Sequence, residues 1–75
     1  MGDVGELIAL VNEELGTALR PADAGAPLGT LPGWDSLLLL RLVAVLERHT
    51  GRPLPVGDVI AAGSIAGIHA VVVAA

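Results

Sequence analysis

The stretch from Pro32 to Val43, PGWDSLLLLRLV, decides the fold of this chain. Asp35 and Ser36 are residue types that favour the N-cap of a helix, and they directly precede four leucines. A glycine at position 51 is a typical helix end, so the sequence predicts a helix from this point to about His49. Because each residue turns a helix by about 100°, four consecutive leucines cannot all face one core.

The helical periodicity divides this segment into faces. The predicted core face holds Leu39, Leu42, Val43, Leu46 and Thr50. The opposite face holds Leu37, Leu40, Arg41, Ala44 and Arg48, with Leu38 and Val45 on the flank. Leu37 and Leu40 are therefore expected to be exposed, and an exposed apolar patch on a small monomer often marks a protein interface. The alternative, a helix buried on most sides, is hard to arrange in a chain of 75 residues.

Upstream of this helix, the sequence predicts one amphipathic helix and a long loop. The helix has apolar residues at three- and four-residue steps from Val4, and Asp3 precedes it as a cap. We expect it to fade near Leu19, because the following Arg20-Pro21 disfavours helical backbone angles. Residues 20–34 then form a loop, in which two leucines, Leu28 and Leu31, are expected to pack against the core.

Downstream, the sequence predicts a short third helix capped by Asp58 and running through Ala62. Ser64 is expected to cap a fourth helix, whose core stripe is Ile65, Ile68 and Val72. The predicted fold class is all-α: a small four-helix bundle, three main helices and one short helix, with a long first loop. We expect residues 1–75 to form a single domain.

Composition excludes several classes of function. The net charge is −4 and all four basic residues are arginines, which disfavours nucleic-acid binding. The absence of cysteine excludes a disulfide framework, a thiolate nucleophile and any cysteine-based zinc site. Ser36 with His49 or His69 and an acid would nominally make a hydrolytic triad, but no G-x-S-x-G motif is present. We therefore predict neither a catalytic nor a metal site.

Residues 59–75 carry no formal charge and approach the minimum of about 17 residues for a membrane-spanning helix. Gly63-Ser64 interrupts the run, so we expect two short packed helices and no membrane contact. The N-terminal segment is acidic and lacks the positive region of a signal peptide. We accordingly expect a cytoplasmic monomer.

From the residues alone, Ser36 is either a helix cap or the site of an anion at a helix N-terminus. A family resemblance favours the second interpretation. GWDSL, opening an apolar helix after a long loop, resembles the acyl carrier and peptidyl carrier proteins. The similarity includes LRLVAVLERHTGRPLP, the acid in VGDVI and the segment SIAGI, and it extends over essentially the whole chain.

The resemblance implies a non-catalytic four-helix bundle in which Ser36 receives a 4′-phosphopantetheine arm from coenzyme A. A phosphopantetheinyl transferase attaches the arm, whose thiol carries an acyl or aminoacyl group as a thioester. Asp35 matches the acid that lies beside the attachment site and assists recognition by the transferase. The other implied partners are a loading enzyme, of adenylation or acyltransferase type, and downstream condensing or tailoring enzymes. The residues expected to contact partners are Trp34, Leu37, Leu38, Leu40, Arg41, Ala44 and Arg48.

The chain departs from fatty-acid carriers, which usually place acids along this helix. Leu38 and Leu39 replace polar or acidic residues, and Arg41 is basic. We therefore expect a discrete carrier of secondary metabolism, such as nonribosomal peptide, polyketide or antibiotic biosynthesis. Asp35 is compatible with both the acyl and the peptidyl type. The alternative is a small helical interaction module that uses the exposed Leu37 and Leu40 to bind another helix or a second copy.

Overall fold

The computed structural model describes residues 2–75, and over that range it contains four α-helices and no strand. The helices are α1, Val4–Leu15; α2, Ser36–Thr50; α3, Val56–Ala61; and α4, Ile65–Ala74. Two short 3₁₀ turns, Pro21–Asp23 and Leu28–Thr30, lie in the connection between α1 and α2. The predicted all-α bundle with one short helix and a long first loop is confirmed.

Two of the predicted N-caps are present as expected. The carboxylate of Asp3 accepts a hydrogen bond from the Glu6 N–H at 2.9 Å. The hydroxyl of Ser64 accepts one from the Gly67 N–H at 3.0 Å. Each cap binds a backbone donor that has no partner within its own helix, so it fixes where the helix begins.

The end of α1 was predicted four residues too late. The helix stops at Leu15 because Gly16 takes a left-handed conformation, with φ of 69°. The Asn12 side chain then holds the following residues in a non-helical path. Its oxygen accepts from the Thr17 hydroxyl at 2.7 Å and from the Leu19 N–H at 2.8 Å, and its nitrogen donates to the Leu19 carbonyl at 3.0 Å.

The predicted start of α3 was also wrong. Asp58 lies inside the first turn of the helix, which begins at Val56 with Pro55 at the N-cap. The Pro55 carbonyl accepts hydrogen bonds from the N–H groups of Asp58 and Val59, at 3.0 and 3.1 Å. The proline has no side-chain oxygen to offer, so α3 begins without a side-chain cap.

The core is made of aliphatic side chains from all four helices and from the long loop. Its buried members are Leu7, Ile8, Val11, Leu28, Leu31, Leu42, Val43, Leu46, Leu54, Val59, Ile65, Ile68 and Val72. The predicted anchoring of Leu28 and Leu31, and the stripe on α4, are therefore confirmed. In α2 the prediction differs at Val45, which is buried rather than on the flank, whereas Leu39 is only half-buried against the core. An ion pair from Arg48 to Glu14 joins α2 to α1.

Two backbone hydrogen bonds join the loop between α1 and α2 to the region where α3 ends and α4 begins. The Leu28 N–H donates to the Gly63 carbonyl at 2.9 Å, and the Ala66 N–H donates to the Ala24 carbonyl at 2.9 Å. Within the loop, the Arg20 N–H and guanidinium both bind Asp23, and the backbone bond is the main reason that the pKa of this carboxyl is lower than its ordinary value. Asp23 is therefore charged at neutral pH, which is the form that accepts the hydrogen bonds from Arg20.

The uncharged run at residues 59–75 is divided between α3 and α4 by Gly63, whose φ is 74°. Among residues 2–75, no helix combines the length and the apolar character that crossing a bilayer requires.

Candidate functional site

Ser36 is the first residue of α2, and it is not the residue that caps the helix. Asp35 takes that position: its carboxylate accepts a hydrogen bond from the Leu38 N–H at 2.7 Å. The Ser36 side chain is exposed and makes no hydrogen bond to any residue in the range 2–75. The interpretation of Ser36 as a helix cap is therefore wrong, because the preceding acid already fills that role.

The chain has one other serine, Ser64, and it provides an internal comparison. Both serines lie at helix N-termini. The Ser64 hydroxyl is the N-cap of α4, is half-buried and is engaged by the Gly67 N–H. Of the two, only the Ser36 hydroxyl is free to be modified without loss of a cap.

The backbone around Ser36 suits an attached anion. Since Asp35 binds the Leu38 N–H and the Asp35 carbonyl accepts from Leu39, the first two N–H groups of α2, those of Ser36 and Leu37, have no partner within residues 2–75. Free N–H groups at a helix N-terminus, together with the helix dipole, stabilise negative charge.

Ser36 also lies on the edge of a cleft of about 370 Å³. Trp34, Leu39 and Ile60 line it with apolar surface, and Gly63 is also part of its lining. The hydrogen bond from Leu28 to Gly63 joins two residues that line this cleft, and it holds the loop beside the junction of α3 and α4. Trp34 thus adjoins the site as predicted.

Ile60 was missed by the sequence analysis. It is 54% exposed although it is a large apolar residue, and it faces the cleft from α3. Its neighbour Val59 is fully buried, so a helical wheel of the six-residue α3 would have placed Ile60 outside the core. Its proximity to Ser36 depends on how α3 packs on α2, which the sequence pattern does not contain.

The outer face of α2 continues directly from Ser36. Leu37 is 66% exposed and Leu40 is 54% exposed, which confirms their predicted exposure. Arg41, Ala44 and Arg48 are exposed as predicted, and Leu38 is half-buried on the flank. Four of these residues lie three or four positions apart on one face of the helix, and we call them the α2 patch: Leu37, Leu40, Arg41 and Ala44.

A four-helix bundle with an unengaged serine at a helix N-terminus, beside an apolar cleft, agrees with the architecture that the resemblance to carrier proteins predicts. A family model described as "Phosphopantetheine attachment site" matches residues 5–72, and the chain belongs to this family. The predicted membership is thereby confirmed, and so is 4′-phosphopantetheine as the prosthetic group of the family. Neither a curated protein nor a solved structure matches the chain significantly.

The residues present fit this group. A phosphodiester needs a free hydroxyl and donors for its oxygens, which Ser36 and the N-terminus of α2 offer. The extended arm needs an open surface to lie along, and the cleft lined by Trp34 and Ile60 begins at the same residue. Domains of this family are in general non-catalytic, are modified by a phosphopantetheinyl transferase and interact with other enzymes.

Proposed function

We propose that residues 1–75 form a single carrier domain and that Ser36 is its phosphopantetheine attachment residue. The observation that carries this proposal is the contrast between the two serines. The Ser36 hydroxyl is exposed and unbonded, whereas the Ser64 hydroxyl is held at 3.0 Å from a backbone N–H. Modification of Ser36 would therefore leave every helix cap in place.

The chain's own residues position and stabilise the attached group. The N–H groups of Ser36 and Leu37 stabilise the phosphate, and the α2 dipole acts in the same direction. Asp35 caps α2 by accepting a hydrogen bond from the Leu38 N–H. Its carboxylate also lies next to Ser36 in the sequence, where the transferase can recognise it. When bound, the arm supplies a thiol that carries an acyl or aminoacyl group as a thioester.

The domain itself catalyses nothing; it presents its cargo to partner enzymes. Its partners are the transferase, a loading enzyme of adenylation or acyltransferase type, and condensing or tailoring enzymes. The apolar outer face of α2 supports a role in nonribosomal peptide or polyketide biosynthesis rather than in fatty-acid synthesis, because α2 has only one acid, Glu47. We expect the domain to work as a cytoplasmic monomer.

The proposal is tested by incubating the protein with coenzyme A and a phosphopantetheinyl transferase of broad carrier specificity, and measuring the intact mass. The wild-type chain and Ser64→Asn should each gain one phosphopantetheinyl group, and Ser36→Ala should gain none. Ser64→Asn is a suitable control because asparagine keeps the N-cap of α4 while removing the second serine. A well-folded wild-type chain that stays at its original mass contradicts the proposal.

The exposure of Leu37 and Leu40 also favours a second candidate, a helical interaction module that carries no arm. The two functions differ at Ser36. An interaction module binds its partner equally well with alanine at that position, whereas a carrier loses all transfer of cargo.

A further inference from the structure

The charge on the outer face of α2 indicates what kind of surface docks there. On a helix, a side chain meets those three and four residues away. For Arg41 these positions are Leu37, Leu38, Ala44 and Val45, and none of them carries a charge. Arg41 is exposed and makes no ion pair or hydrogen bond within residues 2–75.

Each of the other three arginines binds another residue of the chain. Arg20 pairs with Asp23 at 3.3 Å, and Arg48 pairs with Glu14 at 3.4 Å. Arg52 donates to the carbonyl of Ala75. Arg41 is thus the one arginine in the described part of the chain that makes neither an ion pair nor a hydrogen bond.

No acid within residues 2–75 forms an ion pair with Arg41. The Asp35 carboxylate is engaged by the Leu38 N–H, and the Glu47 carboxylate accepts from the Leu54 N–H at 2.8 Å, toward the loop that leads to α3. The α2 patch therefore consists of three apolar side chains and one unbalanced positive charge, within about 12 Å of Ser36 along the helix.

We propose that the α2 patch binds an enzyme surface that is apolar at its centre and places a carboxylate opposite Arg41. This rests on the proposed function, since an enzyme acting at Ser36 must approach this face. Docking covers Leu37 and Leu40 and removes water from the neighbouring guanidinium. An acid opposite Arg41 compensates for that loss, whereas a basic surface would be repelled and excluded.

The test uses the transferase as the docking partner, because it must reach Ser36. Initial rates of phosphopantetheine transfer are measured for wild type, Arg41→Gln, Arg41→Glu and Arg52→Glu. The control Arg52→Glu changes the net charge by the same amount but lies outside α2, in the loop before α3. Circular dichroism verifies that all four proteins keep their helix content.

We expect kcat/KM to fall about threefold for Arg41→Gln, the effect of losing one exposed ion pair. For Arg41→Glu we expect a fall of about tenfold or more, mainly through KM, because two carboxylates then face each other. Added NaCl should slow the wild-type reaction and should partly restore Arg41→Glu. For Arg52→Glu, kcat/KM should remain within about twofold of the wild-type value, because Arg52 lies outside the α2 patch and an exposed charge contributes little.

The outcomes separate the two proposals. A wild-type chain that is never modified overturns the proposed function and the docking proposal with it. A wild-type chain that is modified while Arg41→Glu reacts at the same rate overturns the docking proposal alone. So does light scattering that reveals a stable dimer disrupted by Leu40→Asp, because the patch would then be covered by a second copy.

Discussion

The carboxylate of Asp35 is both a helix cap and a negative charge, and two substitutions distinguish the effects of these properties. It caps α2 through the Leu38 N–H, and it places a negative charge beside the Ser36 hydroxyl. Asparagine is as good an N-cap as aspartate but has no charge, whereas alanine removes both the cap and the charge.

We therefore expect Asp35→Asn to keep its free energy of unfolding to within a few tenths of a kcal/mol, and Asp35→Ala to lose about 1 kcal/mol. Urea denaturation followed by circular dichroism measures both. If the transferase recognises the charge, both variants are modified more slowly than wild type. Transfer to Asp35→Asn at the wild-type rate would contradict a role for the carboxylate in recognition.

At the same scale, the sequence marked Ser36 as the candidate attachment residue but did not predict its position in the helix. Two adjacent residues both suit the N-cap position, and propensity cannot decide between them. The backbone decides: Asp35 has extended angles, with φ of −148° and ψ of 179°, while Ser36 is already helical. That one-residue difference leaves the serine hydroxyl free.

At the scale of elements, the contact between α3 and α4 depends on Gly67. A Cβ built on this residue would lie 2.6 Å from the Ala62 carbonyl oxygen, which is too close for any side chain. Gly57 in α3 has no atom within 4 Å of such a Cβ, so it provides a matched control in a neighbouring helix.

We expect Gly67→Ala to lower the free energy of unfolding by about 1–3 kcal/mol through forced displacement of α3. Gly57→Ala should instead raise it by up to about 1 kcal/mol, because alanine is the better helix former. Thermal and urea denaturation compare the two variants. Equal stabilities would mean that α3 and α4 are not in the close contact described.

How much of each element could be predicted depends on whether its limits are set locally. The caps at Asp3 and Ser64 and the stop at Gly51 are local signals, and they were predicted to within one residue. The end of α1 was not, because Gly16, five residues before Pro21, and the side chain of Asn12 end the helix before the proline is reached. The burial of Val45 depends on how the rest of the fold packs around α2, which a helical wheel does not represent.

At the scale of the whole molecule, α2 has a core face and an exposed apolar face, which we propose as the docking face. Leu46 is fully buried and Leu40 is 54% exposed, although both are leucines in one helix. A domain of this size has only a few kcal/mol of net stability, so the two faces should respond very differently to the same truncation.

Leu46→Ala should cost about 2–5 kcal/mol, enough to unfold much of the population, because it leaves a cavity among packed side chains. Leu40→Ala should change the free energy of unfolding by less than about 0.5 kcal/mol while slowing the transfer of phosphopantetheine. The comparison needs one denaturation series and one kinetic assay. A large loss of stability in Leu40→Ala would place this residue in the core and remove it from the docking face.

The arrangement of site and surface could be only partly predicted at this scale. Periodicity was sufficient to place Leu37 and Leu40 outside, since it concerns one helix. The cleft beside Ser36 was not predictable, because residues of the loop, α2 and α3 line it together and their packing is not contained in the periodicity of one helix.

The central claim, attachment at Ser36, is tested most directly by locating the added group in the modified protein. Trypsin cleaves after arginine except before proline, so it yields the peptides 1–41, 42–48 and 49–75. After reaction with coenzyme A and the transferase, we expect the phosphopantetheinyl group only on peptide 1–41, with fragment ions assigning it to Ser36. A group on peptide 49–75, which contains Ser64, or on a threonine of peptide 1–41 would contradict the account.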